Sequence, residues 1–144
     1  MVESAKPAMP LLPVLHSSRH PAPNGDLFVL EAGTVPFDIA RVFFISGPKG
    51  AVRGKHAHIE CSQLLTVISG SVLVSVENPS RSTQETLMAV GESLHLPPLH
   101  WASQEFCSEG TVLLVLCDQP YDEADYLRDY QSFIDRISAT PQRP

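Results

Sequence analysis

Between Asn24 and Cys117 the chain never runs far without meeting a turn signal, and this punctuation limits its fold more than any other feature. Asn24-Gly25-Asp26 precedes Leu27-Phe28-Val29-Leu30. Gly47-Pro48-Lys49-Gly50 closes Arg41-Val42-Phe43-Phe44-Ile45. Ser69-Gly70-Ser71 divides a run from Gln63 to Ile68 from Val72-Leu73-Val74-Ser75-Val76. Asn78-Pro79-Ser80 leads toward Glu85 to Ala89, and Ser93 to Leu96 follows. Such runs are too short for helices but long enough for strands. In the fourth, Val72, Val74 and Val76 alternate with smaller or polar neighbours, the period of a half-buried strand. Thr111 to Cys117 is almost wholly apolar and reads as a central strand. Many short, evenly punctuated strands predict an all-β sandwich or barrel.

The two ends read differently. Pro7, Pro10, Pro13, Pro21 and Pro23 forbid a helix before Asn24, so residues 1–23 are expected to be a proline-rich arm, with Leu11 to Leu15 as a candidate edge strand. In the tail, Tyr126, Leu127, Tyr130, Phe133, Ile134 and Ile137 recur at helical spacing, and Asp122 with Asp125 can cap the start. The expected organisation is one domain over residues 24–138, ending in a C-terminal helix, with a short tail at 139–144. A chain of 144 residues is long enough to bury a core of its own.

Charge removes several functions. Ten basic residues against sixteen acidic give a net charge of −6, which argues against nucleic-acid partners and anionic membranes. Local basic residues can still hold one phosphorylated small ligand. Cys61, Cys107 and Cys117 are widely spaced, form no metal knuckle, and read as reduced, packed thiols. No basic-then-apolar leader pattern or membrane-length apolar run is visible, so a cytoplasmic location is expected. No Gly-x-Ser-x-Gly elbow or phosphate-cradling glycine loop is found either.

The segment richest in chemistry is Arg53-Gly54-Lys55-His56-Ala57-His58. On a strand, residues two apart share a face, so His56 and His58 project side by side, and Gln63 can return to that face from the next strand. Paired imidazoles serve as metal ligands or as a base near neutral pH. A second element, Gly91-Glu92-Ser93-Leu94-His95-Leu96-Pro97-Pro98-Leu99-His100-Trp101, sets a proline six residues after a glycine. His95 faces opposite to Leu94 and Leu96. The acidic run Asp122-Glu123-Ala124-Asp125 reads as a helix start rather than a carboxylate site.

Together these two elements resemble the paired motifs of the cupins, whose fold is a jelly-roll (RmlC-like) barrel. Within the cupins the chain resembles the sugar 3,4-ketoisomerases that act on dTDP-linked 4-keto-6-deoxyglucose, the WxcM-like cupins. The carrying stretches are Arg53 to His58, Gln63-Leu64 leading to Gly70, Pro97 to Trp101, Thr111 to Leu116, and Tyr121-Asp122-Glu123-Ala124-Asp125-Tyr126-Leu127-Arg128-Asp129-Tyr130. The resemblance runs from about Asn24 to Phe133.

The resemblance implies an enzyme that moves a ketone from C4 to C3 through an enediol, with no metal and no organic cofactor. His56 and His58 would transfer the proton. Arg41 and Arg53 would engage the diphosphate or sugar oxygens, while Gln63, Trp101, Phe44 and His95 would line the substrate pocket. It also implies a homodimer, with exchange of an N-terminal strand as one arrangement. The chain departs from the family at Phe43-Phe44, where a tyrosine pair is usual and the second faces the site, and a phenyl ring donates no proton. It departs again at Asn24-Gly25, where Arg-Gly is usual, and at Ala102 to Phe106, where histidines are usual. These departures leave other readings open: a non-catalytic or altered-specificity nucleotide-sugar-binding cupin, a 3,5-epimerase, or a metal-dependent cupin using His56, His58 and Gln63.

Overall fold

In the computed structural model, which describes residues 11–139, strand alternation determines which side chains meet. The strands are β1 (Val14–His16), β2 (Ser18–Ala22), β3 (Gly25–Val29), β4 (Arg41–Gly47), β5 (Val52–His58), β6 (Gln63–Ser69), β7 (Ser71–Glu77), β8 (Thr83–Ala89), β9 (Glu92–Leu96), β10 (Trp101–Phe106), β11 (Thr111–Cys117) and β12 (Tyr126–Leu127), followed by the helix α1 (Tyr130–Ala139). Two five-stranded antiparallel sheets face each other, in the orders β1-β9-β6-β11-β4 and β12-β5-β10-β7-β8. This is the all-β barrel that the turn punctuation predicts. β2 and β3 form a separate hairpin that straddles the boundary expected at residue 23, and β1 lies along β9. Residues 1–10 of the expected arm and 140–144 of the tail fall outside the described residues.

The core lies between the sheets. Leu65, Val67, Val72, Val74, Met88, Leu94, Phe106, Leu113 and Val115 are buried there in one cluster. Each sits on the inward phase of its strand, as the period of two requires. Outward-phase residues of the first sheet, Leu64 and Leu116, pack instead with Val35, Phe37 and Leu30 from the segment before β4.

The C-terminal helix starts later than its spacing suggests. Asp122 caps a 3-10 turn at Glu123–Asp125, accepting from the Ala124 amide. The chain then pairs with β5 as β12 before Asp129 accepts from the Ser132 amide and opens α1. Helix periodicity in Tyr126 and Leu127 therefore came from residues that cover β5 as a strand. Phe133 and Ile137 are buried on the outer face of the second sheet, against Ala57 and Trp101.

Candidate functional site

One end of the barrel interior is polar. At that end the first sheet presents a rung across three strands: Arg41 is opposite Cys117, and Cys117 is opposite Gln63. From the second sheet come His56 and His58, with Gln104 beside them on β10. Entry to this face is set by a bulge where β5 shifts register against β10 between Ala102 and Ser103. Gly54 takes a left-handed φ of 84° there, and a Cβ would stand 2.9 Å from the Ala102 carbonyl oxygen. Only glycine fits such a position without strain. The bulge turns the next residues so that both histidines face inward.

The histidines lie beside two neighbouring cavities. The wider one, about 180 Å³, is bordered by Phe43, Arg53, His56, Gln63, Tyr126 and Arg128, among others. The narrower one, about 10 Å³ and so no larger than a single water, is bordered by His56, His58, Cys61, Gln63, Pro97 and His100, among others. His56, Gln63 and Gln104 border both, so they form the wall between the two. The rings of His56 and His58 meet edge to face with centroids 5.1 Å apart, and Tyr126 lies 4.4 Å from His58.

The two imidazoles are held differently. Asp125 Oδ2 lies 3.1 Å from Nδ1 of His58. The same carboxylate accepts from the amides of Glu60 and Cys61, while its own carbonyl accepts from the Ile59 amide. A carboxylate at Nδ1 fixes that nitrogen as the protonated one and leaves Nε2 with its lone pair. Nε2 of His58 is buried and has no partner. Burial pulls the pKa of His58 down, partly opposed by Asp125. His56 has no such support; burial, then the neighbouring His58, lowers it to about 4. Both rings are therefore neutral near pH 7, and His58 is the better oriented base.

His58, Cys61 and Asp125 also form a cluster of possible metal ligands. They do not fit a metal well, because the Asp125 oxygens already receive two backbone amides and the imidazole. The set His56, His58 and Gln63 fits no better. The Gln63 amide donates to Cys117 Sγ, His100 has its Nδ1 engaged with the Pro98 carbonyl, and Ala102, opposite His56 on β10, offers no ligand.

Of the expected site residues, Arg53, His56 and Gln63 border the wide cavity, His58 borders the narrow one, and Arg41 joins through the rung with Cys117 and Gln63. Three do not reach it. Phe44 is 70% exposed on the outer face of β4, because Arg41, Phe43 and Ile45 take the inward phase; Phe43 borders the cavity instead. Trp101 points outward against Tyr130 and Phe133 of α1. His95 packs on Phe37 beneath the segment before β4, since Leu94 and Leu96 occupy the inner phase.

Sequence reasoning missed Asp125, Tyr126, Arg128 and Gln104. The acidic run reads as a helix start, whereas the Asp125 carboxylate holds His58. Tyr126 and Arg128 follow it directly, with the Arg128 guanidinium 4.2 Å above the Tyr126 ring. Gln104 was readable as the residue two after the inward Ala102. Within the described residues no helix is long and apolar enough to cross a membrane.

Comparison with known proteins finds the same architecture. The profile of the FdtA family, described as WxcM-like, C-terminal, matches residues 12–138. A TDP-4-oxo-6-deoxy-alpha-D-glucose-3,4-oxoisomerase from Aneurinibacillus thermoaerophilus is 34% identical over 112 residues, spanning 76% of this chain and 81% of the relative. A variant of the 3,4-ketoisomerase QdtA from Thermoanaerobacterium thermosaccharolyticum, solved with TDP-4-keto-6-deoxyglucose, superposes with a TM-score of 0.81 at 31% identity, over 88% of this chain and 94% of that one. A 3,4-ketoisomerase from Helicobacter canadensis gives a TM-score of 0.81 at 29% identity, over 88% and 97%. With the match running through nearly the whole barrel and its tail, the chain belongs to the FdtA family, and its barrel is of the cupin type.

Proposed function

We propose that this chain is a sugar 3,4-ketoisomerase that converts a dTDP-linked 4-keto-6-deoxyhexose to its 3-keto isomer. The single observation that carries the reading is the Asp125-oriented His58, which keeps Nε2 without a partner and stands beside His56 at the edge of the wide cavity. Hydrogen at C3 is acidified by the adjacent C4 carbonyl. His58 removes it, electrons move toward the C4 oxygen, and an enediol forms. A proton returned to C4 and loss of the O3 proton leave the ketone at C3. His56, in the wall between the two cavities, is the second proton-transfer group.

Arg53 and Arg128, both bordering the wide cavity, suit the diphosphate. Arg41 and Tyr126 offer donors to the sugar oxygens, which matters because Phe43 brings no hydroxyl to the cavity wall. A binding protein without catalysis is the second reading, favoured by that phenyl ring. We also read the chain as a homodimer. Among the described residues β4 is a sheet edge with Val42 and Phe44 exposed, and the β2–β3 hairpin exposes Leu27; exchange of an N-terminal strand would cover such an edge. Its three free cysteines are in keeping with a cytoplasmic setting.

Proton NMR with dTDP-4-keto-6-deoxyglucose in deuterated buffer tests the chemistry. Loss of the C3 proton signal and growth of a 3-keto species are expected, and His58→Asn should abolish both while nucleotide binding stays within a few-fold. Binding of the nucleotide sugar with no exchange in the wild type would support the second reading instead.

A further inference from the structure

Moving a carbonyl along a sugar ring needs an acid as well as a base. As His58 draws the C3 hydrogen away, negative charge grows on O4, and later the O3 proton must leave. Both imidazoles are neutral near pH 7, because burial lowers His56 and His58 alike. A neutral imidazole accepts a proton readily but has no extra proton to give. The acid for the sugar oxygens has to come from another side chain.

The residues on the cavity walls leave one. The guanidinium groups of Arg53 and Arg128 keep their protons, and the amides of Gln63 and Gln104 do not release theirs. The Cys61 thiol donates to the Ser62 carbonyl. His100, neutral through burial, has Nδ1 turned to the Pro98 carbonyl. Phe43 has nothing to donate. Among the described residues that border either cavity, Tyr126 alone bears a hydroxyl. A phenol can give a proton and take one back, as general acid–base catalysis requires.

Strand pairing sets its place. Tyr126 is the partner of His58 in the β12–β5 ladder, and Leu127 is the partner of Ala57. Paired residues share a face. Leu127 and Ala57 therefore pack outward with Phe133, while Tyr126 enters the site with His58. The Tyr126 ring stands 4.4 Å from that of His58 and 5.1 Å from that of His56. In the sugar, C3 and O4 are separated by a single atom. Base and acid must then stand side by side, as these rings do.

We propose that Tyr126 is the acid of this reaction, and that its hydroxyl hands a proton to O4 and takes one from O3. In the first half His58 takes the C3 proton, and the C3–H electron pair becomes the C3=C4 double bond. The carbonyl π pair moves onto O4, which takes the Tyr126 proton. That leaves an enediol, an imidazolium and a phenolate. In the second half the phenolate takes the O3 proton, and the freed O3 pair forms the C3 carbonyl. The C3=C4 pair then takes up a proton at C4 from the histidine pair. Imidazole and phenol are restored, and nothing else is consumed. Each half moves protons in both directions, so the site gains no net charge. The imidazolium and phenolate that form together stand ring to ring, where each stabilises the other.

This assignment deepens the function proposed above and rests on it. The test gives dTDP-4-keto-6-deoxyglucose in deuterated buffer to the wild type, Tyr126→Phe and Tyr121→Phe. Proton NMR reads loss of the C3 signal and growth of the 3-keto sugar separately. Tyr126→Phe keeps the ring, so KM should stay within a few-fold while 3-keto formation falls roughly 10²–10⁴-fold. Exchange at C3 should fall less, since His58 can still form an enolate and return a proton to C3. Tyr121→Phe should match the wild type, because that hydroxyl is tied to Glu123 at 2.5 Å. A merely structural role would depress exchange and product together, so equal losses in Tyr126→Phe would overturn the assignment. 3-Fluorotyrosine at position 126 gives a second reading that keeps both ring and hydroxyl. Its phenol is more acidic and must start protonated, so the alkaline limb of kcat should move to lower pH. A limb that stays in place would also overturn the assignment. A wild type that neither exchanges nor isomerises removes the isomerase reading, and the role of Tyr126 with it. A wild type that isomerises beside an equally active Tyr126→Phe overturns the role of Tyr126 alone.

Discussion

The two ends of the barrel interior are built from the same strands in the same phase, yet they differ in kind. Along the inward face of β11, Leu113 and Val115 give way to Cys117; along β6, Val67 and Leu65 give way to Gln63; along β10, Phe106 gives way to Gln104. At one end the two sheets close on methyl and phenyl groups. At the other the same inward positions carry an amide, a thiol, a guanidinium and two imidazoles, and the space between the sheets is open. A period of two tells which face a side chain takes. The change of polarity along one face marks where the core stops and the site begins.

The sharpest way to break this comparison is to damage each end separately. Phe106 is fully buried in the apolar cluster, and Phe106→Ala should cost about 3–5 kcal/mol, read as a collapse of the urea midpoint. Asp125→Asn should leave that midpoint nearly in place. The amide keeps an oxygen for the Glu60 amide, but its NH2 group opposes Nδ1–H of His58. The rate of C3 exchange should then drop by roughly 10²–10⁴-fold with KM little changed. A variant at Asp125 that unfolds as readily as Phe106→Ala would erase the distinction between the ends.

Much of this was legible beforehand, for physical reasons that also explain the gaps. Strong alternation in Val72 to Val76 and apolar continuity in Thr111 to Cys117 gave correct strands, because inward positions there are hydrophobic. β10 was passed over because its inward row contains Gln104, which reads as exposed until the cavity is known. The His56 and His58 pair declared itself through spacing alone. Phe44 and Trp101 did not, since a family motif gives residue types without the strand phase, and both fall on the outward phase. Asp125 was hidden because an acidic run before a helical pattern is usually a cap, and here the cap was Asp122.

Acid separates the ends more gently. Burial lowers the pKa of His56, His58, His95 and His100, with His56 reaching about 4. The folded protein therefore holds them neutral, while the unfolded chain takes up protons as pH falls below about 6.5. Stability must decline with falling pH between about 6.5 and 4, since the unfolded state binds more protons there. The apolar end contains no such group and contributes nothing to the slope. Calorimetric melting from pH 8 to 4 should show Tm level at first and then falling by roughly 5 °C or more below about 6.5. Glu123, held down to about 2 mainly by Arg128, should add its own decline only below about 4.5. A Tm that stays level from pH 8 to 5 would mean that these histidines are not held neutral.

The smallest expected effect lies at the rim, where the open end meets solvent. Arg128 is exposed, paired with Glu123 at 2.6 Å and laid over Tyr126. Exposed ion pairs contribute little to stability, so Arg128→Gln should leave Tm within about 2 °C. Its guanidinium borders the wide cavity, so the same change should raise KM for the nucleotide sugar roughly tenfold, with kcat within about twofold. Glu123→Gln separates contact with the ligand from mere placement of the tail. That variant removes the pair but leaves the arginine, so KM should hold or fall as the guanidinium is freed for phosphate. Were Glu123→Gln to raise KM as far as Arg128→Gln does, Arg128 would be acting by holding the segment after Asp122, and the diphosphate would rest on Arg53 alone.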